Sequence, residues 1–365
     1  MSPNPCISPT PHIAAMAAYA LADLSVAPGR RLVSLAQNES ASTPSPRAIA
    51  AATAALSSAR LYCDPDWTAL RAAIADIHGL RPESILVGAG SMELIAALAT
   101  AYLDPGDRSL TTGHAYLYFR TVAQVAAAEI DVAPETDLHV DIDRMIEAIR
   151  PETKLIFVAN PGNPTGTRIS RAEILALREA APPTALLILD EAYGEFADGL
   201  DEPMFDLVER GDTAVLRTFS KAYGLAGMRV GWGCFPEAVA RELRKVISSY
   251  SVGGPAQAAA EAAMRDQAHM RACVAETAAR REAFAGRMRR LGLTPPPSYA
   301  NFLLLPFASA EQAQAAEAVL RAEGVLMRPV AGYGLPHCLR ATIGSDSDMD
   351  LAADLLEAFV KGAPS

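Results

Sequence analysis

The chain has 365 residues, 50% of them hydrophobic and 20% charged, with a formal net charge of −10. That much apolar surface offsets the entropy of ordering, so a disordered chain is excluded, and the length favours two domains over one. A chain this acidic lacks the broad positive field that nucleic acid or an anionic membrane requires, and neither is expected as a partner. A small anion can still be held where a few cations gather in one pocket.

Taken in chain order, residues 13–24 are apolar and Ala-rich, without a basic stretch before them or a small-residue cleavage site behind, and read as a short amphipathic helix or docking arm. Residues 46–58 read as an Ala-rich helix. Residues 66–78 keep Leu70, Ile74 and Ile77 on one helical face. A short buried strand is expected at 84–88 and a helix at 91–102. The apolar runs at 154–159, 185–189 and 214–218 read as buried strands of a mostly parallel sheet with helices between them. A single long helix is expected over 255–290, with Pro255 in its first turn and Gly292 beyond its end. Strands at 301–305, 324–328 and 338–343, covered by helices at 311–322 and 348–360, make a second, smaller unit. No run is long and apolar enough to read as a membrane span. The fold class is α/β: a large domain with a mostly parallel sheet flanked by helices, plus a smaller C-terminal α/β domain. The division expected is an N-terminal arm over 1–40, a large domain over 41–254, and a linking helix with the small domain over 255–365.

Five scattered cysteines without a Cys-x-x-Cys pair suggest neither a disulfide framework nor zinc, and six histidines without i, i+4 pairing give no metal site. A reduced, cytoplasmic protein is expected.

Four segments carry chemistry. In Gly88-Ala-Gly-Ser-Met92, between a strand and a helix, backbone N–H groups at the helix N-terminus with the Ser91 hydroxyl form an anion cup. Glu93 stands where a third glycine would belong, so a phosphate is favoured over a dinucleotide. Asn160-Pro-Gly-Asn-Pro-Thr-Gly166 is a rigid loop that would present Asn163 to an anionic oxygen. Asp190 ends an apolar strand, where ligands of open α/β sheets bind and where a carboxylate can pair with a protonated pyridine nitrogen. Tyr193 follows three residues on. Thr218-Phe-Ser-Lys-Ala-Tyr-Gly-Leu-Ala-Gly-Met-Arg229 presents Lys221, a potential Schiff-base former, among the hydroxyls of Thr218 and Ser220 and the Arg229 guanidinium. Tyr116 offers a ring that could stack on a planar cofactor.

Together these segments, with Leu339-Arg-Ala-Thr-Ile-Gly344, resemble the signature of the fold-type I pyridoxal 5′-phosphate (PLP)-dependent aminotransferases, in particular the histidinol-phosphate aminotransferase subfamily, from about Leu35 to about Leu355. The resemblance implies an aspartate aminotransferase-like fold. It implies Lys221 as Schiff-base lysine and proton shuttle, Asp190 on the ring nitrogen, Asn163 and Tyr193 on the ring 3-oxygen, and Tyr116 on the ring face. Gly90, Ser91, Met92, Thr218, Ser220 and Arg229 would hold the phosphate. It further implies Arg340 and Arg328 as substrate anion binders, Tyr62 as a residue reaching a neighbouring subunit's site, and Tyr19 and Asn38 near the substrate. The activity implied is transamination of histidinol phosphate with 2-oxoglutarate in a homodimer. The alternative is an aminotransferase of aromatic or other amino acids. The segment Asn38-Glu-Ser-Ala-Ser-Thr-Pro-Ser45 departs from the subfamily's usual pattern, as does Ser251 after Tyr250.

Overall fold

The computed structural model describes residues 7–18, 23–26, 29–200 and 204–362. Its strands, in chain order, are β1 (Val33–Leu35), β2 (Ile85–Gly88), β3 (Arg108–Thr112), β4 (Glu129–Ala133), β5 (Thr153–Ala159), β6 (Leu186–Asp190), β7 (Thr213–Thr218), β8 (Gly231–Cys234), β9 (Phe302–Pro306), β10 (Val325–Val330) and β11 (Leu335–Thr342). Seven form one sheet in the order β2-β8-β7-β6-β5-β3-β4. It is parallel except that β8 runs antiparallel to both neighbours. All residues of β6 and β7 are buried, the pattern of strands covered on both faces. Helices such as Ser91–Tyr102 and Arg171–Ala180 supply that cover with Leu94, Ile95, Leu98, Ile174 and Leu177. Phe119 stacks on Phe157 at 5.0 Å, and Phe205 on Trp232 at 5.5 Å, within the same core.

The smaller sheet has the order β1-β10-β11-β9. Its own apolar cluster joins Leu303, Leu305, Val325 and Met327 to Phe284 and Met288 of helix Gln267–Arg290 and Leu356 of helix Asp346–Gly362. The N-terminal strand β1 belongs to this sheet, pairing in parallel with β10.

Two expectations need correction. The helix expected over 255–290 is two helices, Gly254–Arg265 and Gln267–Arg290. Asp266 between them leaves helical geometry (φ −98°, ψ 59°) and accepts a hydrogen bond from the Ser45 hydroxyl at 2.5 Å. The helix expected within 13–24 is only Pro11–Ala14, with 15–18 not helical. Its residues are almost all exposed, and so short a helix gains little without burial.

Candidate active site

The carboxyl ends of β5, β6 and β7 and the loops that follow converge on a cavity of about 320 Å³. Asp190, the last residue of β6, is buried there and accepts the Ala192 N–H at 3.1 Å. Burial, and then the Glu191 carboxylate beside it, push the Asp190 carboxyl up to about 7. A cationic partner in the cavity would reverse that cost.

One side of the cavity is an anion cradle. Helix Ser91–Tyr102 begins at Gly90, whose backbone (φ +81°, ψ 164°) lies in a region that essentially only glycine occupies. The first N–H groups of a helix lack intrahelical acceptors, and here they border the cavity. A Cβ on Gly90 would meet the Arg229 guanidinium at 2.5 Å. From below, β8 presses so close that a Cβ on Gly231 would run into the Ser91 amide nitrogen. The Thr218 hydroxyl donates to Ser220 Oγ at 3.0 Å, and Arg229 donates to the same oxygen at 3.5 Å. The helix N–H groups, two hydroxyls and one guanidinium thus share a space suited to a phosphate.

Opposite the cradle stands Lys221. Its ammonium donates to the carbonyl oxygens of Asn38 at 2.9 Å and Gln37 at 3.3 Å, and lies 5.7 Å from the centre of the Tyr193 ring. Burial first, then the Arg340 guanidinium, bring the amine down to about 7, so it can exchange a proton near neutrality. Tyr193 is buried edge-on against Phe302, and its hydroxyl accepts from Asn38 Nδ2 at 2.8 Å. Burial lifts that phenol to about 12.

Arg340 completes the wall from β11. It donates to Asn163 Oδ1 at 2.6 Å and to the Ala36 carbonyl at 2.8 Å, while its Nε is buried without a partner. Only 6% of the residue is exposed, and among the described residues it makes no ion pair with a carboxylate. A buried guanidinium without a counter-ion is costly, and an anionic ligand would repay that cost. Arg328 faces Arg340 across the β10–β11 register, and both border the cavity.

The structure therefore brings together Asn38, Gly90, Ser91, Met92, Tyr116, Asn163, Asp190, Tyr193, Thr218, Ser220, Lys221, Arg229, Arg328 and Arg340 around one space. Tyr62 is not among them. It is 86% exposed and packs on Tyr250 with ring centres 4.8 Å apart. Tyr19 lies outside the described residues. Sequence reasoning missed Thr342 and Asn301, which fix Asn38: Thr342 donates to Asn38 Oδ1 at 3.1 Å and Asn301 Nδ2 donates to its carbonyl at 3.0 Å. Beneath Asp190 it also missed buried Arg217, paired with Glu191 at 2.8 Å, Asp198 at 2.9 Å and Glu195 at 3.5 Å. Among the described residues no group of three or more His, Cys, Asp or Glu could hold a metal ion, and no helix is long and apolar enough to cross a membrane.

A mostly parallel sheet with a lysine, a buried aspartate and an anion cradle at its strand ends is an aminotransferase architecture, and residues 30–356 match the family described as aminotransferase class I and II. The chain belongs to that family and is an enzyme that transaminates. More particularly, it is 43% identical over 326 residues to a histidinol-phosphate aminotransferase of Roseobacter denitrificans, covering 89% of this chain and 90% of that one. A histidinol-phosphate aminotransferase of a Jannaschia species is 42% identical over 355 residues, covering 97% and 98%. Among solved structures, the histidinol-phosphate aminotransferase of Sinorhizobium meliloti in complex with pyridoxal 5′-phosphate superposes with a TM-score of 0.87 at 29% identity, covering 96% and 97% of the two chains. An aspartate aminotransferase double mutant of Thermus thermophilus superposes at 0.80 with 25% identity over 91% and 92%.

Proposed function

We propose that the enzyme transfers the amino group of histidinol phosphate to 2-oxoglutarate with pyridoxal 5′-phosphate as cofactor. The observation that carries this reading is Lys221, an amine brought to about 7 in a cavity that also holds a buried aspartate and an unpaired buried guanidinium. The residues fit the cofactor. The helix start at Gly90, Ser91 and Met92 borders the cavity beside Thr218, Ser220 and Arg229, a donor set suited to a phosphate, and the buried Asp190 carboxyl shares that cavity. Pyridoxal 5′-phosphate supplies, when bound, a conjugated ring that accepts the electron pair released at the substrate α-carbon.

Each residue then has a task. Gly90, Ser91, Met92, Thr218, Ser220 and Arg229 would anchor the cofactor phosphate. Asp190, an anion made unfavourable by burial, would gain a partner in a protonated ring nitrogen and hold that proton in place. Asn163 and Tyr193 would serve the ring 3-oxygen, and Tyr116 would cover a face of the ring. Lys221 would carry the proton between the substrate α-carbon and the cofactor's C4′, a role that needs an amine titrating near neutrality. Arg340 and Arg328 bind the substrate's anionic group from adjacent strands, with Asn38 beside them.

In this reading residues 41–254 hold the cofactor, 255–365 carry the substrate arginines, and 1–40 form an arm whose β1 joins the small sheet. The protein works as a cytoplasmic homodimer in which exposed Tyr62 reaches a second copy's cavity. The curated relatives' names and the shared registry of Arg328 and Arg340 support the phosphorylated donor. A donor panel with 2-oxoglutarate tests it. Arg328→Ala is expected to lower kcat/KM for histidinol phosphate at least tenfold while leaving phenylalanine within about threefold, the loss of one charge-assisted contact. An equal fall on both donors would overturn the phosphate role of Arg328, and preference of the unaltered enzyme for phenylalanine would establish the aromatic-donor alternative.

A further inference from the structure

His114 lies just beyond the carboxyl end of β3, two residues before Tyr116. Its ring Nδ1 is 2.7 Å from the carbonyl oxygen of Tyr333. A carbonyl only accepts, so Nδ1 carries the proton, in the neutral ring or the imidazolium alike. The backbone of His114 is itself tied down. Its N–H donates to Glu135 Oε1 at 3.0 Å, and the same oxygen accepts the Thr112 hydroxyl at 2.6 Å. The imidazole is thus anchored on the large sheet and reaches the Ala331–Tyr333 turn, which joins β10 to β11 in the small one.

The turn is packed against this loop at further points. Gly334 has φ +79°, and a Cβ there would lie 3.6 Å from His114 Nδ1, while one on Gly332 would lie 3.6 Å from Leu117. Leu117 packs on the buried cluster of Val330, Tyr333 and Leu335. Tyr116 and Tyr333 both border the cavity, one from each side of the His114 bond. Arg328 stands at the other end of the same stretch, in β10.

We propose that His114 is a positioning residue: its Nδ1–H···O=C bond to Tyr333 ties the Tyr116 loop to the Ala331–Tyr333 turn and sets the width of the substrate side of the cavity. On the cofactor side, Gly90, Ser91, Asp190 and Thr218 do not touch this bond, and Tyr116, which would cover the ring, is held independently by the Phe119 N–H on its carbonyl at 3.1 Å and by its edge-on packing against Phe119. Losing it therefore loosens Tyr333 and Arg328 around the amino donor while leaving cofactor binding intact. The inference rests on the reading that this cavity takes the amino donor.

The test compares His114→Ala, His114→Phe and His114→Asn in the cofactor-loaded enzyme. Phenylalanine keeps the ring volume and loses the donor, whereas the Asn amide can place an N–H near the position of Nδ1. Alanine and phenylalanine are expected to raise KM for the donor about fivefold, the net worth of one neutral hydrogen bond, with kcat within about twofold. The dissociation constant for pyridoxal 5′-phosphate, read by visible absorbance, should stay within about twofold. Asparagine should return KM to within about twofold of the unaltered enzyme. An Asn variant no better than Phe, a fall confined to kcat, or a KM unchanged in Phe would overturn the proposal, and the Phe–Asn comparison decides it even if the Ala variant does not fold. Failure of the unaltered enzyme to turn over any amino donor would instead sink the reading of the site.

Discussion

Replacing Lys221 with methionine in the cofactor-free protein removes a buried ammonium and keeps an unbranched chain of similar length. In the folded protein, burial and then Arg340 hold the amine near 7, against 10.5 when exposed. A base whose folded value lies below its unfolded one costs stability in full below the lower value and nothing above the higher. Each pH unit between those limits carries about 1.4 kcal/mol, so the whole interval carries about 5 kcal/mol as an upper bound. Methionine also forfeits the hydrogen bonds to the Asn38 and Gln37 carbonyls, an opposing effect of about 1 kcal/mol each that does not vary below pH 7. The slope is therefore the decisive quantity. Between pH 7.5 and 9.5, where Asp190 is largely past its own titration near 7, the stability of the variant relative to the unaltered protein should fall by about 3 kcal/mol. Urea unfolding at five pH values with matched m-values measures it. A difference constant within about 0.5 kcal/mol across that range would refute the depressed amine.

Gly231→Ala should weaken pyridoxal 5′-phosphate binding at least tenfold by absorbance titration with the secondary structure retained, because its Cβ displaces the Ser91 amide that lines the cradle. Arg217→Met should cost about 3–5 kcal/mol in urea unfolding at pH 7, since Glu191 and Glu195 lose their buried counter-ion. Part of that loss should return as the pH falls towards 5.5. Burial already holds Glu195 up to about 7 and raises Glu191, so these carboxyls protonate readily once Arg217 is gone.

Much of the large sheet was legible because β5, β6 and β7 are buried on both faces and so read as unbroken apolar runs. The edge strand β4, Glu-Ile-Asp-Val-Ala, is half exposed and resembles a loop, and β1 is only three residues long. The Gly-Trp-Gly-Cys strand β8 looks like a turn in sequence. Its glycine at 231 is dictated by a neighbour, Ser91, far away along the chain. The same holds within the site. Lys221 and Asp190 could be singled out because their segments occur together with Asn160-Pro-Gly-Asn-Pro-Thr-Gly166, none being decisive alone, and Arg340 only through the resemblance those segments carry. The acceptors that hold the Lys221 ammonium are backbone carbonyls, which leave no signature, and Arg217 is hidden inside a strand that otherwise reads as apolar.

The segment from Val33 to Asn38 has a consequence for how the two sheets communicate. It begins hydrogen-bonded to β10, gives its Ala36 carbonyl to Arg340, and ends with the two carbonyls that hold Lys221. Arg340 also acts on Lys221 through space, as the strongest charge lowering its proton affinity. An anion that settles on Arg340 cancels that repulsion and makes the amine a more avid proton acceptor. Thermodynamic reciprocity requires the converse: a protonated Lys221 strengthens the hold on the anion. The proton affinity of Lys221 is thus tied to whether an anion lies on Arg340, and six residues of backbone join the two.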